Sequence, residues 1–219
     1  MEYLYVRLNL YDLLRRIFIG EPDVTLLLFL KEINVSDFTD VHFSDVPTVS
    51  QYLKLSLSSL EDKVISDCSD DFQNLHWDFT RLFIGPDTLP AAPWESSYTN
   101  NGLLFTETTL QVAMYYQQHG FCLPENEVEA ADHVGFELDF IYHLNNKILS
   151  PNSPGQAQLK DNLTCQVFFI ENHLMAFVGL LMNNVAKHAY TDFYKNMALF
   201  TAEFIKFDLI KVKSLLSAM

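Results

Sequence analysis

Apolar residues in this chain recur every three or four positions, which is the spacing of one buried face of an α-helix. The last segment shows the pattern most clearly, with Phe193, Met197, Phe200, Phe204 and Phe207 at spacings of four, three, four and three. No long segment alternates apolar and polar residues between hairpin turns, and no repeat period is visible. The pattern predicts an all-α fold of about nine helices, and the length of 219 residues is typical of a single helical domain.

Proline, glycine and capping residues set the ends of the predicted helices. Pro47 and Ser69 are typical of helix starts, whereas Gly85 and Gly120 are typical of helix ends. The main predicted helices cover residues 2–19, 22–33, 47–65, 70–84, 103–119, 124–148, 164–187 and 192–216, with an irregular stretch at 37–45.

A long loop interrupts this helical pattern between Gly85 and Gly102, because its three prolines and its turn residues exclude a regular helix. Loops of more than about 12 to 15 residues inside a compact domain are often functional. Trp94 and Tyr98 indicate that this one packs on a surface groove. The alternative is an ordered connection that only crosses the fold.

Residues 147–162 form a second irregular stretch, rich in Asn, Ser, Pro and Gly. The composition predicts a flexible connection and the best hinge in the chain. A hinge at this place allows two copies to exchange their C-terminal helices. We therefore expect a monomer or a domain-swapped dimer.

Charge and cysteine usage exclude several classes of protein. The formal net charge is −14 and there is no basic cluster, so neither nucleic acid nor an anionic membrane surface is expected as a partner. Cys68, Cys122 and Cys165 are odd in number and far apart, which predicts neither a disulfide framework nor a Cys-x-x-Cys metal site. This usage is typical of the reducing cytoplasm.

No uninterrupted apolar run approaches the roughly 20 residues that a membrane helix requires, so we expect a soluble protein without stable membrane insertion. Arg15 and Arg16 precede a short apolar run and resemble an export signal. The run breaks at residues 20–23 and no small-residue cleavage site follows. We interpret the two arginines as surface residues of an amphipathic first helix.

Titratable side chains concentrate in the segment from Glu129 to His143. Glu129, His133 and Glu137 recur every fourth residue, and Asp132 precedes His133. We predict that one helix includes them all, so that these side chains share a second face beside the apolar stripe of Val134, Leu138, Ile141, Leu144 and Ile148. Such a face is either a set of solvated side-chain pairs or a ligand site.

Known enzyme motifs give little support for catalysis. The chain has no His-Glu-x-x-His or Glu-x-x-His metal motif, no phosphate-binding loop, no dinucleotide fingerprint and no nucleophile elbow. We therefore expect no enzyme, no cofactor and no metal. The alternative is a metal-dependent, helical phosphohydrolase-like enzyme that uses Asp132 and His133.

Two blocks of the sequence resemble the TorD/DmsD family of twin-arginine proofreading chaperones, also called redox-enzyme maturation proteins. Residues 78–86 and 89–97 resemble the family's Leu-Phe-x-Gly-Pro stretch and its proline-rich loop. Residues 129–133 are similar to the family's Glu-Pro-x-Asp-His signature, with Ala130 in place of the proline. The resemblance covers the middle and end of the chain, and the first 70 residues add little.

The resemblance implies a cytoplasmic, all-helical chaperone that is not an enzyme. Such a protein binds the twin-arginine leader, the apo form of a molybdoenzyme precursor, or both, aids cofactor insertion and prevents premature export. A leader joins two guanidinium groups to an apolar stretch, so its receptor requires carboxylates beside an apolar groove. The expected peptide-binding residues are Leu82, Phe83, Pro86, Trp94, Tyr98, Glu129, Asp132, His133 and Glu137.

Overall fold

The computed structural model describes residues 2–33, 41–86, 88–99, 103–124, 128–150 and 155–219. These residues form nine helices: α1 Glu2–Phe18, α2 Val24–Glu32, α3 Pro47–Ser58, α4 Asp70–Phe79, α5 Ser96–Thr99, α6 Glu107–Gln118, α7 Val134–Leu149, α8 Gln156–His188 and α9 Asp192–Ser217. The described residues include no β-strand, so the prediction of an all-α fold is confirmed.

Helix ends follow the local signals in several places. The side chain of Ser69 accepts a hydrogen bond from the backbone N–H of Phe72 and so caps α4, as its position predicts. Pro47 occupies the first turn of α3. The prediction that this helix continues towards residue 65 is wrong, because α3 ends at Ser58 and is followed by turns.

Two helices contain a wider, π-helical turn. Helix α4 continues directly into the first of these, Thr80–Ile84, here called the π-helical turn of α4; it ends at Gly85, whose N–H donates to the Thr80 carbonyl over 2.9 Å. Gly85 has φ of 98°, a backbone conformation that favours glycine. In α8 the turn Ile170–Leu174 lies between Gln156–Phe169 and Met175–His188. Turns of this kind are frequent at functional sites.

The predicted hinge at 147–162 is shorter than expected. Helix α7 continues to Leu149 and α8 begins at Gln156, while residues 151–154 lie outside the described residues. The segment Gln156–Lys160 contains Gln, Ala, Leu and Lys, which favour helix despite the turn residues before them. The domain-swapped dimer stays a prediction.

The chain divides into two compact units, each built from segments that are distant in sequence. The first unit comprises Met1–Ile19, Pro93–Val178 and Ile205–Met219, and the second comprises Gly20–Ala92 and Gly179–Phe204. The prediction of one domain over residues 1–219 concerns both units together and stays a prediction.

The core of the first unit contains the apolar stripe of α7. Val134, Leu138, Ile141, Leu144 and Ile148 are all buried, as their spacing predicts. Helix α7 packs along α1, whose Leu10, Leu14 and Phe18 are also buried. The sequence pattern therefore identified the α7 side of this contact.

The core of the second unit contains the start of α9. Phe193, Met197, Phe200 and Phe204 are buried, in agreement with the seam predicted from their spacing. Phe204 contacts Phe43 edge to face at a centroid distance of 6.3 Å. The Ser56 hydroxyl donates a hydrogen bond to the Phe193 carbonyl over 2.8 Å.

Helix α8 is long and apolar enough, by composition, to cross a membrane. Its most apolar window has a mean hydropathy of 1.5, and half of that window is buried inside the protein. Gln166 and His173 of α8 are buried and hydrogen-bonded to protein side chains, as is typical of a core helix in a soluble protein. A search for uninterrupted apolar runs misses α8 because such polar residues break its sequence.

A buried ionic network joins α1, α7, α8 and α9 inside the first unit. Arg7 and Asp208 have side chains with no solvent exposure, and Arg7 Nε lies 2.7 Å from Asp208 Oδ1. Tyr3 and Tyr11 donate their hydroxyl hydrogens to the same carboxylate. The other end of the guanidinium donates to Asn145 and Gln166. This arrangement compensates both charges, which burial alone strongly disfavours.

We expect Asp208→Asn to lower the free energy of unfolding by about 3–5 kcal/mol, because the Arg7 charge stays buried without its anion. Urea denaturation followed by circular dichroism measures the change. Asp12→Asn is the matched control, since Asp12 pairs with Arg15 at the surface, where a pair contributes less than about 1 kcal/mol. Equal losses in the two variants would contradict the assigned role of the network.

Candidate functional site

The two sequence blocks singled out above meet through their backbones in the first unit. The Val134 N–H donates to the Pro93 carbonyl over 2.8 Å, and the Glu95 N–H donates to the Asp132 carbonyl over 2.9 Å. Trp94 and His133 thereby form an isolated antiparallel β-bridge. The last part of the proline-rich loop is consequently held against the start of α7.

Asp132 strengthens this attachment with its side chain. Its carboxylate is fully buried, and Oδ2 accepts a hydrogen bond of 2.8 Å from the backbone N–H of Ser96, the first residue of α5. Because Asp132 has no exposed surface, it does not present its charge to a peptide in this structure. The predicted direct contact with a guanidinium group does not fit this burial.

His133 is the N-cap of α7, and its Nδ1 accepts a hydrogen bond of 3.1 Å from the Gly135 N–H. The prediction that Glu129, His133 and Glu137 share one helix is therefore wrong. The backbone of residues 132–134 bonds to the loop and has an extended conformation at His133, so the helix begins only at Val134. Residues 125–127, part of the predicted start, lie outside the described residues.

A buried acidic cluster lies among the loop, α7 and α8 in the first unit. His173, in the π-helical turn of α8, has Nδ1 2.9 Å from Glu95 Oε2, and both side chains are almost completely buried. Burial, followed by the charges of Glu95 and Asp132, raises the pKa of Glu137 well above its usual value. Glu137 therefore keeps its proton to higher pH than a free glutamate does and, like Asp132, is not exposed to a ligand.

Sequence reasoning missed Glu95 and His173 as members of this cluster. A histidine inside a strongly apolar helix was the available signal, because a buried imidazole requires a polar partner. Its partner lies 78 positions earlier in the chain, and no local pattern identifies such a pair.

The exposed part of the site consists of Trp94, Glu129 and Tyr98. Trp94 is half-buried, and its indole N–H donates a hydrogen bond of 3.1 Å to Glu129 Oε2 at the surface. Tyr98 is also half-buried, with its ring 6.0 Å from that of Phe177 in α8. These three predicted residues are accessible, whereas Asp132, His133 and Glu137 are buried and support them.

The remaining predicted residues belong to the second unit. Leu82 and Phe83 lie in the π-helical turn of α4 and are buried, so they contribute to the core and not to a surface. Pro86 is exposed and lines a small cavity of about 200 Å³ together with Trp77 and Pro90. Asp87 and residues 100–102 of the loop lie outside the described residues.

Asp132 and His133 do not form a metal centre of the type that a phosphohydrolase uses. The Asp132 carboxylate and the His133 Nδ1 both bind backbone N–H groups. The described part of the chain contains no group of three or more His, Cys, Asp or Glu side chains arranged to hold a metal ion. The geometry of this pair is that of a structural support.

Comparisons with known proteins agree on one family. A family model described as nitrate reductase delta subunit matches residues 47–183. The chaperone protein TorD of Vibrio cholerae is 29% identical over 189 residues, which cover 83% of this chain and 85% of that protein. A Haemophilus influenzae protein described as a probable Tat proofreading chaperone, DmsD, is 25% identical over 207 residues, which cover 92% of this chain and 89% of that protein.

Among solved structures, one of those similar to this chain matches it over most of its length. It is described as a redox enzyme maturation protein from Archaeoglobus fulgidus, with a TM-score of 0.48 and 20% sequence identity. The match covers 91% of this chain and 93% of that chain.

We expect Gly135→Ala to destabilise the protein although alanine favours helices. A Cβ atom at Gly135 would lie 2.7 Å from the Ile19 Cα, and backbone cannot move aside cheaply, so the cost is about 1–3 kcal/mol. Gly179→Ala is the control, because no atom lies within 4 Å of its added Cβ and stability should rise by about 0.5–1 kcal/mol. Thermal denaturation measures both, and shifts of the same sign would contradict the assigned packing.

Glu137→Gln is expected to change how stability depends on pH. The unfolded chain loses the Glu137 proton near the usual value of 4.5, whereas burial raises the folded pKa well above it. Between these values the folded state binds more protons, so the stability from this residue falls as pH rises, by up to about 1.4 kcal/mol per pH unit.

The glutamine variant lacks this ionisation and should gain stability relative to the parent protein as pH rises above about 4.5. Urea denaturation at several pH values tests the difference. Glu32→Gln, at the exposed end of α2, is the control and should give a profile parallel to that of the parent. A parallel profile for Glu137→Gln would contradict the raised pKa.

Proposed function

The chain belongs to the nitrate reductase delta subunit family, the family of the TorD and DmsD chaperones, and from this membership we propose that it binds the twin-arginine leader of a molybdoenzyme precursor. Its role is that of a chaperone and not of an enzyme. By holding the precursor in the cytoplasm, it would leave time for cofactor insertion before export. The comparisons give no support to the phosphohydrolase alternative.

The observation that carries the leader-binding proposal is the hydrogen-bonded pair of the half-buried Trp94 and the exposed Glu129. The carboxylate of Glu129 is at the surface and is oriented by the Trp94 indole N–H. An oriented carboxylate beside an aromatic ring suits a guanidinium group, which forms paired hydrogen bonds and stacks on aromatic faces. The buried Asp132 fixes the loop that carries Trp94 and does not itself bind the peptide.

Apolar surface is also available in the first unit for the rest of a leader. Val128, next to Glu129, is 86% exposed, and Leu110 and Met114 are exposed one turn apart on α6. Helix α6 is tied to the segment before α7 by the Tyr116 hydroxyl, which donates a hydrogen bond of 2.9 Å to the Ala131 carbonyl. An amphipathic peptide can thus find both charge and apolar area on this unit.

The net charge of −14 supports association with a cationic leader. Long-range attraction raises the encounter rate, and salt screens it over about 10 Å at 0.1 M ionic strength. Affinity for the leader should therefore decrease as salt increases.

Isothermal titration calorimetry with a synthetic twin-arginine leader tests the proposal. We expect saturable binding at low salt, weaker binding at high salt, and a further loss of about threefold to tenfold in Glu129→Gln, which keeps the shape and removes the charge. Asp161→Asn, an exposed acid on α8 in the first unit, is the control and should bind like the parent protein. If several leaders fail to bind at low salt, the proposal is wrong.

A further inference from the structure

A cavity of about 590 Å³ lies in the second unit and plays no part in the function proposed above. Its lining comes from the residues after α3, from α4 with its π-helical turn, and from the turn before α9 and the first residues of α9. This volume is within the range of about 300–1,000 Å³ that is usual for ligand sites.

Two aromatic side chains line this cavity and are largely exposed. Trp77 is 61% exposed and Tyr190 is 81% exposed. Both kinds of ring favour contact with cations.

The cavity already holds one guanidinium group on an aromatic ring. Arg81 lies over the Tyr190 ring, 3.7 Å from its centroid, and also pairs with the buried Asp78. Asp78 in turn accepts hydrogen bonds from the backbone N–H groups of Tyr190 and Thr191, which fixes the turn before α9. The walls are therefore rigid, and their chemistry suits arginine.

The charges around the cavity favour a cationic ligand. Lys63 pairs with Asp71 and Arg81 pairs with Asp78, so these charges compensate each other. Asp192 is exposed and, among the described residues, forms no ion pair. Three more exposed acids adjoin the lining residues in sequence: Glu61, Asp62 and Asp70. An anion would meet this excess of negative charge, whereas a cation would be attracted to it.

The cavity continues towards an apolar surface on the same unit. Trp77 and Arg81 also line the smaller cavity of about 200 Å³, whose other walls include Pro86 and Pro90. Ile84, in the same part of the chain, is 56% exposed. The two cavities share Trp77 and Arg81 as walls and so lie side by side, one with acidic and aromatic lining and the other with proline-rich lining; we call the pair the groove.

We propose that this groove binds a peptide segment in which an arginine precedes apolar residues, with the guanidinium group between Trp77 and Asp192 and the apolar residues at Pro86 and Pro90. The inference rests on the proposed function, since a twin-arginine leader has this composition. It adds a second contact surface on the other unit, formed by residues that the sequence motifs do not include. The aromatic wall supplies cation–π contact and Asp192 supplies the opposite charge.

The two tryptophans of the chain allow each surface to be observed separately. In Trp94→Phe, fluorescence reports on Trp77 alone, and in Trp77→Phe it reports on Trp94 alone. A synthetic twin-arginine leader is titrated into each variant, and a leader with both arginines replaced by alanine is the matched peptide. We expect the Trp77 signal to change and saturate with the arginine leader and to change much less with the alanine leader.

Substitutions in the cavity with acidic and aromatic lining test the assignment directly. Tyr190→Ala and Asp192→Asn should each weaken leader binding by about twofold to fivefold in calorimetry. Their controls are Tyr5→Ala and Asp161→Asn, which remove an exposed aromatic and an exposed acid from the first unit. Circular dichroism confirms that each variant is folded.

The outcomes separate this inference from the proposed function. If the leader binds but Trp77 fluorescence is unchanged and both groove variants bind like the parent, the inference is wrong and the proposed function stands. If the leader does not bind the parent protein at all, both are wrong. If Trp77 fluorescence changes equally with the arginine leader and with the alanine leader, the groove recognises only the apolar residues. The proposed position of the guanidinium group between Trp77 and Asp192 would then be wrong.

Discussion

The hydrogen bonds between the end of the proline-rich loop and the residues before α7 are the constraint on which the candidate site depends. Two backbone bonds and the buried Asp132 carboxylate hold residues 93–96 against residues 132–134. Because a buried carboxylate without a donor is strongly disfavoured, Asp132 requires the Ser96 N–H in this position. The positions of Trp94 and Glu129 follow from that requirement.

The acidic residues of the first unit have two different roles. Glu95, Asp132 and Glu137 are buried, and the cost of burying each acid is reduced differently. Glu95 pairs with His173, Asp132 accepts a hydrogen bond from a backbone N–H, and the pKa of Glu137 is raised. Glu129 stays at the surface, where its charge is available to a partner. These four acids of the first unit thus separate into three that are buried inside it and one that is exposed at its surface.

The helical pattern was readable from the sequence because it is a local property. The buried stripe of α7 and the Phe-rich seam of α9 were both predicted from their spacing. The course of residues 129–133 was not predicted, because the backbone there forms hydrogen bonds with a loop about 37 residues earlier in the chain. Helical spacing alone cannot reveal that such bonds replace those of a helix. The burial of Arg7 was missed for the same reason, since its partner Asp208 is 201 positions away.

The π-helical turn inside α8 has a consequence for the phase of the whole helix. A residue advances an α-helix by about 100°, and a wide turn absorbs one extra residue, so the residues after it keep the faces of an uninterrupted helix although their numbers are shifted by one. The faces of Gln156–Phe169 and Met175–His188 are therefore matched by the turn between them. A single deletion within the turn would restore α-helical geometry and leave Phe177 on its buried face, whereas a deletion inside Met175–His188 would rotate the residues that follow it by about 100°.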